Sequence, residues 1–150
     1  MMIFVSRRAL LAIAAVVDIA LHARPQPVAA KALSARLGLP PRHLETLLQT
    51  LVRAGILKGV RGPRGGYELA RERRRISTAD ILRALAEEEG ASPDAIPACR
   101  LIDEVVTPRL GAAGEAFAAG LTALTIDDLC RDATARNVAD RSPTGSDFTI

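Results

Sequence analysis

The sequence predicts a mainly α-helical chain with one small β-hairpin and a long C-terminal helix. Three observations predict it. The apolar residues are almost all Leu, Ile, Val and Ala, with no Trp, one Tyr and three Phe, a composition that favours helices. Leu44, Leu47, Leu48 and Leu51 fall at i, i+3, i+4 and i+7, the buried stripe of an amphipathic helix. Ile56 to Val60 and Tyr67 to Ala70 alternate as paired strands do, on either side of the glycine-rich turn Arg61-Gly62-Pro63-Arg64-Gly65-Gly66.

Arg7 to Ala23 is apolar nearly all round and reads as a helix inside a small bundle, with Asp18 as its one internal charge. Arg7-Arg8 ahead of Ala9–Val17 imitates a secretory leader. Asp18 ends that apolar run after about nine residues, too short to cross a membrane, and the basic pair follows an apolar start, so a buried helix is expected. Arg24-Pro25-Gln26-Pro27 breaks the helix. Val28 to Leu37 makes a short second helix, stopped by Gly38. Pro40-Pro41 opens a third, which runs to about Ala54.

Opposite its leucine stripe the third helix carries Arg42, His43, Glu45, Thr46, Gln49, Thr50 and Arg53. Two short helices joined by a tight turn, the second with a polar face, describe a helix-turn-helix. In that motif the second helix puts its N-terminal residues into the major groove of DNA. Taken alone, an ordinary amphipathic surface helix accounts for the segment as well. A hairpin directly behind the pair is a wing, with Arg61 and Arg64 placed to reach phosphates or the minor groove. Glycines there let the tip approach a duplex closely. No Gly-Lys-Ser/Thr follows and no helix opens at this turn, which sets aside the phosphate loops of nucleotide enzymes.

Arg71 to Arg75 is a basic run expected to be a solvated loop. Ser77 caps a fourth helix with Asp80 in its first turn and Ile81, Leu82 and Leu85 buried. Glu87-Glu88-Glu89-Gly90 closes it, a loop follows to Pro97, and residues 98–106 form a short helical segment. Thr107-Pro108 reads as a cap followed by Pro at the first helical position. From there Leu110, Ala113, Phe117, Leu121 and Leu124 step by 3, 4, 4 and 3 residues, the seam of a long helix that packs on another helix. Either a second copy of the chain or its own first helix accounts for that seam. Ile126 to Ala135 adds a last helical turn or two. The expected division is a DNA-binding domain over 1–90, a sensor-region loop and short helix over 91–106, dimerisation helices over 107–136, and a mobile tail over 137–150.

The net charge of +3 hides an asymmetry. Residues 1–75 carry 14 Lys/Arg against 4 Asp/Glu, and residues 76–150 carry 6 against 13. A basic half is the electrostatic footprint of a phosphate-binding surface. Cys99 and Cys130, the two cysteines, make neither a disulfide framework nor a zinc spacing, and a reducing cytoplasmic compartment fits best. An enzyme finds no support: His22 and His43 lie far apart, without a nucleophile–base pattern or metal-ligand spacing.

Leu44-Glu45, Leu47, Leu51, Ala54-Gly55 and the run from Val60 to Leu69 resemble the winged-helix repressors that include the iron–sulfur cluster regulator, the nitric-oxide-sensing repressor and the rhizobial iron-responsive regulator. Asp18 to Leu21 and Leu124 to Leu129 are similar to further landmarks of that family, so the resemblance spans residues 1–135. It implies a homodimer whose long C-terminal helices cross, bound to a pseudo-palindromic operator in double-stranded DNA, usually as a repressor. It implies that Arg42, His43, Glu45, Thr46 and Gln49 face base edges. It places Lys58, Arg61, Gly62, Arg64, Gly65 and Gly66 of the wing on the duplex, and Ser6, Arg7 and Arg8 at phosphate. Glu45 stands where the family keeps a Glu that helps choose the base, and a carboxylate can accept from a cytosine amino group. Two positions depart from the pattern: His43 replaces the usual Tyr, and Leu10-Leu11 replaces an Arg-Tyr pair.

Cluster-binding members carry three cysteines between the fourth helix and the long helix. This chain has Cys99 alone there, and one thiolate is poor ligation for an iron–sulfur cluster. The expectation is a regulator without a cluster or other cofactor, controlled through the Cys99 thiol, a small molecule or a partner protein. Arg100 favours a reactive thiolate, and Asp103 and Glu104 oppose it. The alternative is a winged-helix module that binds a protein partner and has only non-specific affinity for DNA. The basic half and the arginine-bearing wing weigh against it.

Overall fold

The computed structural model of the chain describes residues 5–89 and 99–138. Its helices are α1 (Arg7–His22), α2 (Ala30–Leu37), α3 (Pro41–Arg53), α4 (Thr78–Glu89), α5 (Thr107–Ala123) and α6 (Ile126–Ala135). Between α3 and α4 lie the strands β1 (Leu57–Val60) and β2 (Gly66–Leu69). Ser6 opens α1 by accepting the amide of Ala9 at 3.1 Å, which satisfies one of the orphan donors of a helix start. One face of α1 buries Ala9, Ala12, Ala15, Val16 and Ile19, and its small side chains let neighbouring helices come close. Asp18 turns toward α2, where Arg36 grips it with two prongs, Nε to Oδ2 at 2.8 Å and Nη2 to Oδ1 at 2.7 Å.

The turn between α2 and α3 needs a left-handed residue, and Gly38 supplies it at φ +64°. The Ser34 hydroxyl donates to the Leu39 carbonyl, and the Leu39 amide donates back to the Ser34 carbonyl at 3.1 Å. In α3, Leu44, Leu47, Leu48 and Leu51 are all buried. At roughly 1.5–3 kcal/mol for each buried leucine, the stripe contributes on the order of 6–12 kcal/mol as an upper bound. That exceeds anything intrinsic propensity gives a helix this short. Burial therefore fixes how α3 is rotated, and its polar face is left to the solvent except for Thr50, which is buried and donates to the Thr46 carbonyl at 3.0 Å.

Four local expectations change. Val28 does not start α2; it is extended and pairs with β2, with Val28 N–H to the Tyr67 carbonyl at 2.9 Å and Tyr67 N–H to the Val28 carbonyl at 2.8 Å. A buried β-branched residue gains two ladder hydrogen bonds there and would gain none at the uncapped start of α2. The basic run is not wholly solvated either. Arg73–Arg75 forms a 3₁₀ turn, and Arg73 Nε lies 2.7 Å from Asp127 Oδ1 on α6. Thr107 is not a cap: its backbone is helical, and a π-helical turn over Ile102–Val106 runs straight into α5. In a regular α-helix the ring of Pro108 would press on the carbonyl of residue 104, and a wider turn just ahead of it relieves that clash. Leu124, finally, lies past the end of α5 in extended backbone, and α6 is a separate helix.

Leu124 leaves the helix because its backbone is needed elsewhere. Thr78 N–H donates to the Leu124 carbonyl and Ile126 N–H to the Ile76 carbonyl, both at 2.9 Å. The Thr78 hydroxyl donates to the Leu121 carbonyl at 2.7 Å. This pins the start of α6 to the start of α4. Each start has its own reciprocal cap: Ser77 with Asp80, as expected, and Thr125 with Asp128. α1 packs on α4 and α6, whereas no residue of α5 is buried. Leu110 is 67% exposed and Phe117 40%, so the seam is not covered by the chain's own first helix. The loop expected over 90–97 and tail residues 139–150 lie outside the described residues. Among those described, no helix is long and apolar enough to cross a membrane.

Candidate nucleic-acid interface

With the leucine stripe of α3 turned inward, Arg42, Thr46, Gln49 and Arg53 follow one another at spacings of 4, 3 and 4 along the opposite side, and all four are exposed. His43 and Glu45 flank the head of this row and are exposed as well. Pro41 sits at the first helical positions, where its fixed φ and missing N–H cost nothing. Among the described residues no ion pair engages Arg42 or Glu45. The helix therefore presents two cations, an imidazole, a carboxylate and two neutral hydrogen-bonding groups.

The wing is an antiparallel pair in the register Lys58↔Glu68 and Val60↔Gly66. Lys58, expected on the duplex, is paired across the strands, its Nζ 2.9 Å from Glu68 Oε1. Arg61 and Arg64 are exposed at the tip, and among the described residues neither has an ion-pair partner. Gly62 stands in open space. Gly65 and Gly66 are different. A β-carbon on Gly65 would lie 2.3 Å from the Val60 carbonyl oxygen, and one on Gly66 would lie 2.2 Å from that of Val28. These two glycines are required by the packing of the hairpin itself, before any duplex approaches.

At the start of α1 the Ser6 hydroxyl is engaged in its cap, Arg7 is exposed, and Arg8 reaches across to α4, Nη2 to Glu88 Oε2 at 2.5 Å. Glu88 Oε1 is also 3.7 Å from Arg53 Nη2. The Thr50 hydroxyl and Arg8 hold the Glu88 carboxyl below the usual carboxylate range. Arg53 could have been singled out from the 4-3-4 row. Glu88 could not, because it lies 80 residues from Arg8 and nothing local marks it.

Cys99 is exposed just ahead of the long helix. Arg100, the cation that favoured a reactive thiolate, is taken by Glu104, Nε to Oε1 at 2.9 Å and Nη2 to Oε2 at 3.2 Å. Cys130 is buried on α6, and burial pushes its thiol up. Among the described residues no three His, Cys, Asp or Glu side chains gather to hold a metal ion.

A buried leucine stripe, an exposed polar row and a hairpin with bare arginines at its tip make a winged helix-turn-helix. Residues 5–132 match the model of the Rrf2 family, described as "Iron-dependent Transcriptional regulator". The chain belongs to the Rrf2 family. It is 34% identical over 131 residues to the protein rrf2 of Nitratidesulfovibrio vulgaris, covering 84% of this chain and 87% of that one. It is 32% identical over 132 residues to the transcriptional regulator IscR of Xenorhabdus nematophila, covering 87% and 80%. Among solved structures it resembles T. potens IscR, with a TM-score of 0.71, 32% identity and coverage of 89% and 90%. It also resembles CymR, the global cysteine regulator of B. subtilis, with a TM-score of 0.67, 26% identity and coverage of 87% and 98%. This Rrf2 protein is a DNA-binding transcriptional regulator.

Proposed function

We propose that this Rrf2 regulator is a cytoplasmic homodimeric repressor that reads a pseudo-palindromic operator and holds no iron–sulfur cluster. One observation carries the reading: the apolar row of α5 is exposed in a chain whose other leucine stripe is buried. Leu110 and Ala113 are exposed and Phe117 is 40% exposed, Leu121 is half-buried toward the body, and Leu124, just past the helix end, is exposed as well. Contiguous apolar surface of this kind marks an association site. A second copy related by a two-fold axis covers the same row on both chains. Gly111, Gly114 and Gly120 have nothing near them, which leaves room for two helices to cross closely.

A two-fold dimer carries two α3 helices, the arrangement that reads half-sites one helical turn apart. Arg42, His43, Glu45, Thr46 and Gln49 then meet base edges, with Glu45 accepting from a cytosine amino group. Arg61 and Arg64 enter the minor groove, with Gly62, Gly65 and Gly66 forming the narrow tip, and Ser6, Arg7 and Arg8 lie at phosphate. Lys58, tied to Glu68, adds less than its charge suggests. Iron–sulfur clusters are anchored by several thiolates, and one of the two cysteines here is buried in α6. The donor set does not fit a cluster. Control therefore passes through another signal, and the protein acts by binding, without catalysis. The exposure of Cys99 suits thiol oxidation, and the capture of Arg100 by Glu104 works against it.

The test is selection of genomic DNA fragments by the purified protein, followed by salt titration on the best fragment. A pseudo-palindromic site bound at least about a thousandfold above bulk DNA is expected. Phe117→Glu is expected to yield monomers that lose this affinity. Recovery of no motif, with binding that vanishes as salt rises, overturns the repressor reading in favour of a protein-interaction module.

A further inference from the structure

Arg53 is the tail of the row that begins at Arg42. Eleven residues at about 1.5 Å each put it roughly 16 Å along the helix, more than the approximately 12 Å width of the major groove. With the head of the row at base edges, its tail stands beside the phosphates that border the groove. Arg8 joins it there through a shared carboxylate: Glu88 touches Arg8 at 2.5 Å and approaches Arg53 to 3.7 Å. The Glu88 side chain projects from the last turn of α4, beside the buried Thr50 of α3, with about a quarter of its side-chain surface exposed.

We infer that Glu88 is an internal competitor for the DNA backbone, an affinity-setting residue that occupies the two guanidinium groups a phosphate must claim. The inference rests on the reading of Arg8 as a phosphate contact. A phosphate approaching Arg8 meets a carboxylate already bonded there, and one approaching Arg53 meets the same carboxylate 3.7 Å away; either is repelled by its charge. Each contact formed with DNA must break or share one formed with Glu88. The regulator thus starts with two of its cations discounted, and its affinity for bulk DNA, which is nearly all electrostatic, is held down most.

The experiment compares wild type, Glu88→Gln, an Arg8→Ala/Arg53→Ala double variant and the triple variant. Each is titrated against one operator fragment and one random fragment over a range of salt, with a thermal melt to verify folding. Glu88→Gln is expected to tighten binding about 2- to 5-fold, the size of an exposed ion pair converted to a ratio. It is also expected to steepen the salt dependence by about 0.9 for each cation released. Both gains are expected to vanish in the triple variant relative to the double. Weaker binding by a folded Glu88→Gln protein overturns the inference and makes Glu88 a positioning residue for Arg8. Unchanged binding and slope overturn it as well. If the Arg8→Ala/Arg53→Ala protein binds like wild type with the same salt slope, the phosphate reading of Arg8 itself is what fails.

Discussion

Gly66 offers a quantitative test of how the wing is held. A methyl group there would sit 2.2 Å from the Val28 carbonyl oxygen, 2.5 Å from its carbon and 2.8 Å from the Ala29 nitrogen. All three are backbone atoms, so no side chain can swing aside. Gly66→Ala must push β2 off Val28 and break the two hydrogen bonds between Val28 and Tyr67, at 2.9 and 2.8 Å. At about 1 kcal/mol each, with partial exposure of Val28 added, the loss comes to roughly 2–3 kcal/mol. For a chain of this size that lowers Tm by about 4–12 °C. Gly59, on the opposite strand, is the internal control. Nothing lies within 4 Å of its β-carbon position, and Gly59→Ala is expected to stabilise by up to about 1 kcal/mol through the unfolded chain. The assay is thermal unfolding by circular dichroism, with operator titration on the folded variants, where Gly66→Ala should lose at least about tenfold in affinity as the tip shifts. If Gly66→Ala melts with wild type, or Gly59→Ala loses as much, the close-approach argument is wrong.

Asp18→Asn removes the charge from a two-pronged contact with Arg36 that is largely shielded from solvent. A loss of about 1–3 kcal/mol in urea unfolding is expected, and a loss under about 0.3 kcal/mol would show the pair to be ornamental. Acid stability should follow the helix caps. Burial draws the Asp80 carboxyl upward, but the backbone and hydroxyl of Ser77, with Arg71 and Arg83, outweigh it and hold it low. The backbone and side chain of Thr125 hold Asp128 low. Folded carboxyls that titrate below their unfolded value near 4 contribute their full stability above that value and lose it as pH falls through the folded one. Tm should therefore be flat near neutrality and fall below about pH 4, with a shallower fall in Asp80→Asn and Asp128→Asn; an unchanged acid slope would show the caps are not responsible. Glu45→Gln should relax base preference by about 1–3 kcal/mol at one operator position while leaving the salt slope intact. A uniform loss across sequences would place Glu45 outside base reading.

The sequence by itself determined the elements and the kind of surface they carry. The leucines of α3 repeat at helical spacing, the glycine-rich turn from Arg61 to Gly66 sits between two alternating runs, and Ser77 announces a helix start. Each of these signals lies within about eight consecutive residues, the range over which backbone hydrogen bonds and side-chain periodicity act. From them came the helix-turn-helix, the wing, the polar row of α3 and the family. What remained depended on groups brought together from distant parts of the chain. Val28 had to meet Tyr67 before it could be extended, and Leu124 had to bond Thr78 before α5 could end. Whether α1 covered the row that begins at Leu110 was undecided by a spacing that both outcomes share. The pairing of Arg8 with Glu88 joins residues 80 positions apart. Local patterning states which face of a helix is apolar. Only packing decides what that face and the charges beside it touch.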